Sequence, residues 1–531
     1  MSPRPRRGFR GFLLASAIAL PMAASPLLPP LQAYAADVTP AQAQDVAKQL
    51  QDWMSALLGG KVPLPPDLFN VTPAGELYRL TIPVPPGFLV MQDGAGKPTN
   101  AIYTAGLRSL GGTRWGIEEF RMPAVITLSP EAAGSLATGL AGASGMGATP
   151  PGGKPGTAAA PAPGLEIRIR SQSATGVYDT SLKTESRMEV TTQGISVRSI
   201  GLGQANQRSE GTVDRFTGLF QLRPTASGGV DSISDWTMDG YAGVSSDPTM
   251  GEMKVTVRRI RMRGEIGALM TAQVTSALQT GIQMAMDTAM QIAPANPADK
   301  LGDAGRAKLK TIIAALKGVM SGMVMEETIE GISLAMMGQS GSAERVLFML
   351  GGSAPGPKFG AHLELGVDGL KVAGLPPQYA DLLPRSVSVR PVVSNIDVVA
   401  LTALADEAVD PKADMDAIQA KLIGLFTGNG VKVGIERLLI DLGTTKLTAT
   451  GSLTPTSPMT ASGQAEIAMT GYDALMDRVQ KMPEAMQAIP VLALVRGLAR
   501  TEGDKLVWRL AMTDDQKITV NGVDLRKLGG G

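Results

Sequence analysis

Cysteine is absent from all 531 residues, and histidine occurs once. The first absence excludes disulfides, thiolate metal sites, cysteine nucleophiles and lipoprotein attachment. The second leaves any Ser/His/Asp chemistry a single imidazole, His362. Aromatics are scarce as well, 4% against 44% hydrophobics, so Ala, Val, Leu, Ile and 28 Met must fill the interior. Met adapts to irregular gaps and specifies a shape weakly. Charge of either sign hardly predominates. Removing Arg4, Arg6, Arg7 and Arg10 with an N-terminal leader takes 49 basic residues to 45, against 48 acidic ones. That balance provides no overall electrostatic footprint for nucleic acid or anionic lipid.

The leader is expected over residues 1–35. "MSPRPRRGFRGFLLASAIALPMAASPLLPPLQAYAAD" has a basic start, an apolar run from Phe12 to Leu20 and the small-residue site Ala33-Tyr34-Ala35 before Ala36, the three parts of a signal peptide. "RRGF" (Arg6 to Phe9) matches the core of a twin-arginine signal, but the polar residue before it and the leucine after Phe9 are missing. Export by the Sec or the twin-arginine route and a periplasmic location are the expectation. The apolar run is too short for a bilayer core that needs about 20 residues, and no later segment is long and apolar enough to serve. No transmembrane anchor is expected after cleavage.

Residues 36–130 read as a small N-terminal α/β unit. Thr39-Pro40 is an N-cap and first-turn pair, Val46, Leu50, Trp53 and Leu57 recur at helical spacing, and Gly59-Gly60 stops the helix. "ELYRLTIPV" (Glu76 to Val84) and "TRWGIEEFRMPAVITL" (Thr113 to Leu128) then read as strands. Residues 131–163 form an Ala/Gly/Pro-rich flexible linker, because nothing in them buries enough surface to offset ordering entropy.

From residue 164 to 264 the period becomes two. Leu165, Ile167 and Ile169 share one face of "GLEIRIRS", and Met253, Val255 and Val257 alternate with Glu252, Lys254 and Thr256, the pattern of an antiparallel meander wetted on one side. Residues 265–324 predict a helical hairpin insertion, with helices over Ile266 to Ile292 and Gly305 to Met323. The C-terminal β-rich region, 325–531, carries short helices at Pro411 to Phe426 and Tyr472 to Met482. The chain ends in "KITVNGVDL", where Lys517 to Val520 returns from a hairpin that opens at Leu506, and Asn521-Gly522 makes a terminal reversal. The fold class is α+β, mainly extended antiparallel sheet in a meander.

Chemistry-bearing residues are few. Alternation in "GAHLEL" puts His362 on the face of Gly360 and Glu364, opposite Leu363 and Leu365, which suits a structural or solvent-facing imidazole better than a base. No GxSxG elbow and no SxxK pair exists. Glu118-Glu119, Glu326-Glu327 and Asp514-Asp515 are adjacent carboxylates; neighbours on a strand point to opposite faces, and an Asp pair in a turn has backbone reasons to be there. There is no DxDxDG loop, and "GLGQAN" (Gly201 to Asn206) lacks the third glycine of a dinucleotide fingerprint. No catalytic, metal-binding or cofactor-binding residue is assigned. The Met-rich stretch 262–337 is either core filling or an adaptable apolar groove.

"TKLTATGSLTPTSPMTASGQAEIAMTGYDALMDRV" and "ARTEGDKLVWRLAMTDDQKITVNGVDL", with "RWGIEEFRMP" (Arg114 to Pro123), resemble an uncharacterised family of exported Gram-negative envelope proteins, loosely like the YdgA-like and AsmA-like proteins. The carrying features are Gly451 and Gly463 between paired strands, the run into "GYDALM", and Thr519 to Gly522. The Ala/Gly/Pro linker departs from that pattern. The resemblance implies location and architecture, hints at envelope lipid homeostasis and carries over no site residue. The leading expectation is a non-enzymatic periplasmic protein that binds an apolar ligand such as lipid, or an envelope partner, on a β-sheet face. The alternatives are a structural or assembly factor that binds only protein, and a carboxylate-dependent glycan hydrolase whose two carboxylates converge across about 5 to 10 Å. Oligomeric state stays open.

Overall fold

A computed structural model describes residues 38–57, 68–83, 89–92, 101–128, 164–200, 208–281 and 302–527, apart from 112–113, 180–181, 183, 227, 248–250, 272, 275, 278–279, 355, 411, 429, 483–485 and 488. The expected signal peptide and linker lie outside the described residues. The described chain is mainly β with some helix, in a large open antiparallel sheet. It divides into two compact units. The first is Met1–Arg223, Ser234–Ile260 and Ser333–Gly338; the second is Pro224–Ile233, Arg261–Ile332 and Gln339–Gly531.

The first unit begins with helix α1 (Pro40–Leu57). Thr39 Oγ1 accepts from Gln42 N at 3.3 Å and Gln42 Oε1 accepts from Thr39 N at 3.2 Å, a reciprocal capping box that fixes where the helix starts. Ala43, Val46 and Leu50 are buried along one stripe of α1 against strands β1 (Asn70–Ala74), β2 (Leu77–Pro83), β4 (Ala101–Ser109) and β5 (Arg114–Arg121), with β3 at Leu89–Gln92. Trp115 and Tyr78 are fully buried in that cluster, their rings tilted at 60° and 5.7 Å apart. Two aromatics carry much of the core in a chain that has few.

The stretch expected as one strand from Thr113 to Leu128 is two, β5 and β6 (Val125–Leu128). Pro123 has no N–H to give the ladder, so pairing stops there. Both pieces join the same neighbour, β7 (Gly164–Asp179): Trp115 pairs with Tyr178, and Ile126 with Ile167. The long ladder of β7, β8 (Thr184–Ile200) and β9 (Arg208–Pro224) follows, with Ile167 facing Val197 and Ile169 facing Ile195 as the alternation requires. After β10 (Val230–Asp247), β11 (Gly251–Leu269) buries Val255 and Val257 and turns Lys254 and Thr256 outward.

β11 continues to Leu269, where a helix was expected from Ile266. Gly264 and Gly267 weaken helix there, and local bonds hold the extended chain: Ser321 N donates to Gly267 O at 2.9 Å and Ala268 N to Asp231 Oδ1 at 2.9 Å. Beyond it, described positions from 271 to 281 are helical, and most of the rest of the expected first helix, 282–292, lies outside the described residues. The second arm is α2 (Asp303–Leu316), ended by Gly318 at φ 63°, so Val319 to Met323 leave the helix and β12 begins at Gly322 (Gly322–Met336).

The second unit carries a nearest-neighbour antiparallel meander of β13 (Gln339–Ser353), β14 (Lys358–Asp368), β16 (Ser386–Asp397), β17 (Lys432–Asp441), β18 (Lys446–Pro455) and β19 (Ala461–Thr470), with β15 (Lys371–Val372) on β13. β20 (Arg500–Glu502), β21 (Lys505–Met512), β22 (Ile518–Val520) and β23 (Val523–Asp524) complete it, β21 pairing with β19, β20 and β22. Its helices are α3 (Val398–Ala408), α4 (Met415–Gly428), α5 (Tyr472–Gln480) and α6 (Ile489–Leu498). Asp397 caps α3 through Ala400 N at 3.0 Å, and Asp414 caps α4 through Asp416 N at 3.0 Å and Ala417 N at 3.1 Å. α4 therefore starts at Met415 and not at Pro411.

Candidate functional site

Register gathers apolar side chains into rows on one face of the second unit's sheet. Val346, Val367, Val387, Ile440, Leu447, Met469 and Leu506 pair in succession from β13 to β21, an unbroken apolar row. The row beside it is Phe348, Leu365, Val389, Leu438, Ala449, Ile467 and Trp508. Two shorter rows continue the same face: Pro391, Ile435, Gly451, Ala465, Leu510, Val520, and Val393, Val433, Leu453, Gly463, Met512, Ile518. No charged residue interrupts any of them. At a strand spacing of about 4.8 Å the longest row runs roughly 29 Å.

The bulge at Glu436 is what keeps the rows aligned. Arg390 pairs with Arg437 and Pro391 with Ile435, so one residue of β17 drops out of register and Ile435 and Val433 return to the apolar side. The reverse face of the same strands is mixed: Asp368, Ser386, Asp441, Lys446, Thr470 and Lys505 form one polar row and Thr450, Glu466 and Arg509 another, while Leu347, Leu439 and Val507 lie in a row with Gly366, Ser388, Thr448 and Ala468.

The apolar face is only partly covered. α4 lies on β16 and β18 and buries Ile418 and Leu425. α2 touches α3, and α3 touches β16. α6 is held at Trp508, whose Nε1 donates to Val495 O at 2.7 Å. Yet the apolar helices α3 and α6 bury no side chain fully, and Val433, Leu453 and Ile435 on the sheet remain 49%, 44% and 39% exposed. A closed core would leave such residues nearly inaccessible. An apolar floor and two apolar helices are partly open to solvent, an arrangement that can take an apolar occupant.

Gly201 to Asn206 lie outside the described residues. His362 lies on the reverse face, in register between Gly351 and Val392, and its ring occupies the space that a Cβ at Gly351 would need. On the same face, one residue pair along, Glu364 is buried against the guanidinium of Arg437, with Arg390 Nη1 4.0 Å away. Arg390 Nε also faces Glu436 at 3.1 Å. Glu118 holds Arg108 at 2.9 Å while Glu119 holds Arg79 at 2.7 Å, so this pair engages different cations. Glu326 accepts from Thr328 Oγ1 at 3.3 Å, and burial pushes Glu327 above the usual carboxylate range. Asp515 accepts from Lys517 N at 3.4 Å within the β21–β22 turn. Among the described residues no three His, Cys, Asp or Glu side chains gather as a metal site would need, and no helix is long and apolar enough to cross a membrane.

The Met-rich stretch is not where the apolar surface is built. Met325, Met336 and Met337 are exposed, and Met284, Met286 and Met290 lie outside the described residues. The apolar face uses Val, Leu and Ile instead. Strand alternation in "GAHLELGV" and "SVSVRPVV" carried that signal. α3 and α6 had no such signal, because "VVALTALADEA" and "IPVLALVRGL" show no polar face to mark a helical period.

No family model matches the chain, and neither the curated proteins nor the solved structures include a similar one.

Proposed function

We propose that this is a non-enzymatic protein, exported to the periplasm, that holds an apolar ligand, the acyl chains of a lipid, on the open face of its C-terminal sheet. The observation that carries the reading is the set of unbroken apolar rows whose members Val433, Ile435 and Leu453 stay substantially exposed, while α3 and α6 hold no fully buried side chain. Leaving such a surface in water is unfavourable, at roughly 25 cal/mol per Å² of apolar area, and an acyl chain removes that area from water without requiring any polar partner. The leader-like residues 1–35 support export, and the resemblance to envelope proteins of the YdgA-like and AsmA-like kind supports the location.

Two other readings draw less support. A factor that binds only protein is served by a filled sheet face, and this face is open. A glycan hydrolase needs two converging carboxylates, whereas Glu118, Glu119 and Glu364 are each tied to arginine. Native mass spectrometry and solvent extraction of the purified protein test the proposal. Co-purifying lipid, or a melting temperature raised by added lipid, is expected; neither appearing would sink it.

A further inference from the structure

Two asparagines of this chain are followed by glycine, Asn429 and Asn521, and Asn429 lies outside the described residues. An asparagine before glycine is chemically labile, because glycine has no side chain to keep its backbone nitrogen from attacking the neighbouring amide carbon. Asn521 and Gly522 form the two-residue turn between β22 and β23, at φ 50° and 86°. Gly522 is exposed, and a Cβ placed on it would meet nothing within 4 Å. The nucleophile of such a reaction is therefore uncrowded. The electrophile is held: Asn521 Oδ1 accepts from Arg509 N at 3.0 Å, and Nδ2 donates to Val507 O at 2.9 Å and to Leu498 O at 2.8 Å. All three partners belong to β21 or to the end of α6, so Cγ cannot swing toward Gly522 N until these bonds break.

We propose that Asn521 is a deamidation site gated by the sheet edge that β22 and β23 form, protected while the edge is closed and modified when it opens. In the open edge Gly522 N bonds to Asn521 Cγ, the Cγ–Nδ2 bond breaks, and the amide leaves as ammonia with the proton that Gly522 N gives up. Water then opens the five-membered imide, at Cγ to leave aspartate or at the main-chain carbonyl to leave isoaspartate. Nothing is oxidised or reduced. Strands of three and two residues, β22 and β23, supply few bonds against such an opening, which needs only a part of the free energy of global unfolding. The reaction also prevents the return. Either product carries a carboxylate where an amide stood; it has no hydrogen to give Val507 O and Leu498 O, and its charge faces two carbonyl oxygens. Isoaspartate adds a methylene to the main chain of a two-residue turn as well. An edge that has opened long enough to react is thus marked and kept from closing as before. The inference stands independently of what the apolar face holds.

The test incubates the purified full chain in mildly alkaline buffer, native and in urea, and follows the tryptic peptide from Ile518 to Arg526 by mass spectrometry, with separation of the aspartate and isoaspartate forms. In denaturing urea the peptide should convert, with both products formed. In native buffer its conversion should be slower by at least about tenfold, and the rate should rise in urea concentrations below the global unfolding transition. Equal rates in native buffer and in denaturing urea overturn the protection, and a rate that rises only with global unfolding overturns the gating by the edge. Val520→Ala, at a buried position of β22, loosens the edge without touching the reacting atoms and should speed native conversion. A variant with a lowered melting temperature and an unchanged native rate counts against the gate; the urea series decides the matter if this variant does not fold. Asn521→Asp reproduces one product and should melt below wild type. Melting at the wild-type temperature would overturn the claim that modification keeps the edge from closing.

Discussion

Asn521 and Arg509 are joined twice: Asn521 N donates to Arg509 O at 2.8 Å, and Asn521 Oδ1 accepts from Arg509 N at 3.0 Å. The side-chain amide of Asn521 also donates to Val507 O at 2.9 Å and to Leu498 O at 2.8 Å. β20 pairs with β21 up to Val507 and β22 takes over at Leu510, so this one side chain fills the gap between two edge strands and ties in the end of α6. Its backbone sits at φ 50°, where Asn is tolerated better than most residues.

Asn521→Ala should therefore destabilise the protein by about 2 kcal/mol, because it leaves partly buried backbone groups without partners and removes the polar side chain that makes the left-handed backbone tolerable for Asn. Asn521→Gly relieves the strain but not the lost bonds and should fall between. Thermal melts of both variants check this; an alanine variant as stable as wild type would refute the keystone role. Truncation after Val520 should be at least as costly as the alanine.

Much of this architecture was legible in the residues themselves. Thr39-Pro40 and the Val46, Leu50 stripe announced α1, period-two alternation announced β7 and β11, and "TVNG" announced the β22–β23 reversal. What stayed hidden depended on partners far along the chain. Pro123 interrupts the ladder through its missing N–H, and that both halves then bind β7 depends on residues about 50 positions on; α3 and α6 show no regular polar face from which to read a helical period. Local pattern placed Leu363, Leu365 and Val367 together. Only the pairing of β13 to β21, with the Glu436 bulge, shows that the apolar rows cross every strand.

The floor of the apolar face can be tested at its most exposed pair. Val433 and Leu453 face each other across β17 and β18, and both are half open. Val433→Asp should cost only about 1 kcal/mol in stability, since half of the apolar burial is missing already. Lipid co-purification or lipid-induced stabilisation should be lost. Thr450→Asp, on the reverse face of β18, is the matched control and should leave ligand binding unchanged in the same assay.

Glu364 tests the reverse face. Its carboxylate is buried and faces Arg437 and Arg390, so Glu364→Ala strands cationic groups beside a vacated site. Removing one partner of a fully buried pair costs about 3–5 kcal/mol; Arg437 is half exposed, which reduces the expectation to roughly 2 kcal/mol. Denaturant melts measure it. Ligand binding on the opposite face should persist at the wild-type level wherever the variant is folded.

Glu166 is expected to add an acid-dependent increment to the stability of the first unit. The Arg168 and Arg198 guanidiniums hold its carboxyl below the usual range, and the side chain is 12% exposed. A carboxylate with a lowered folded-state value contributes its full stability above the ordinary glutamate value of about 4.3 and loses it as pH falls through the lowered one. Wild type should thus lose this increment only on strongly acidic titration. Glu166→Gln should be less stable than wild type at pH 7, and the gap should close below about pH 4 as the wild-type carboxylate takes up its proton. Urea midpoints for both proteins across that range decide the matter, and a gap that stays constant with pH would show that the ion pairs contribute nothing to folding.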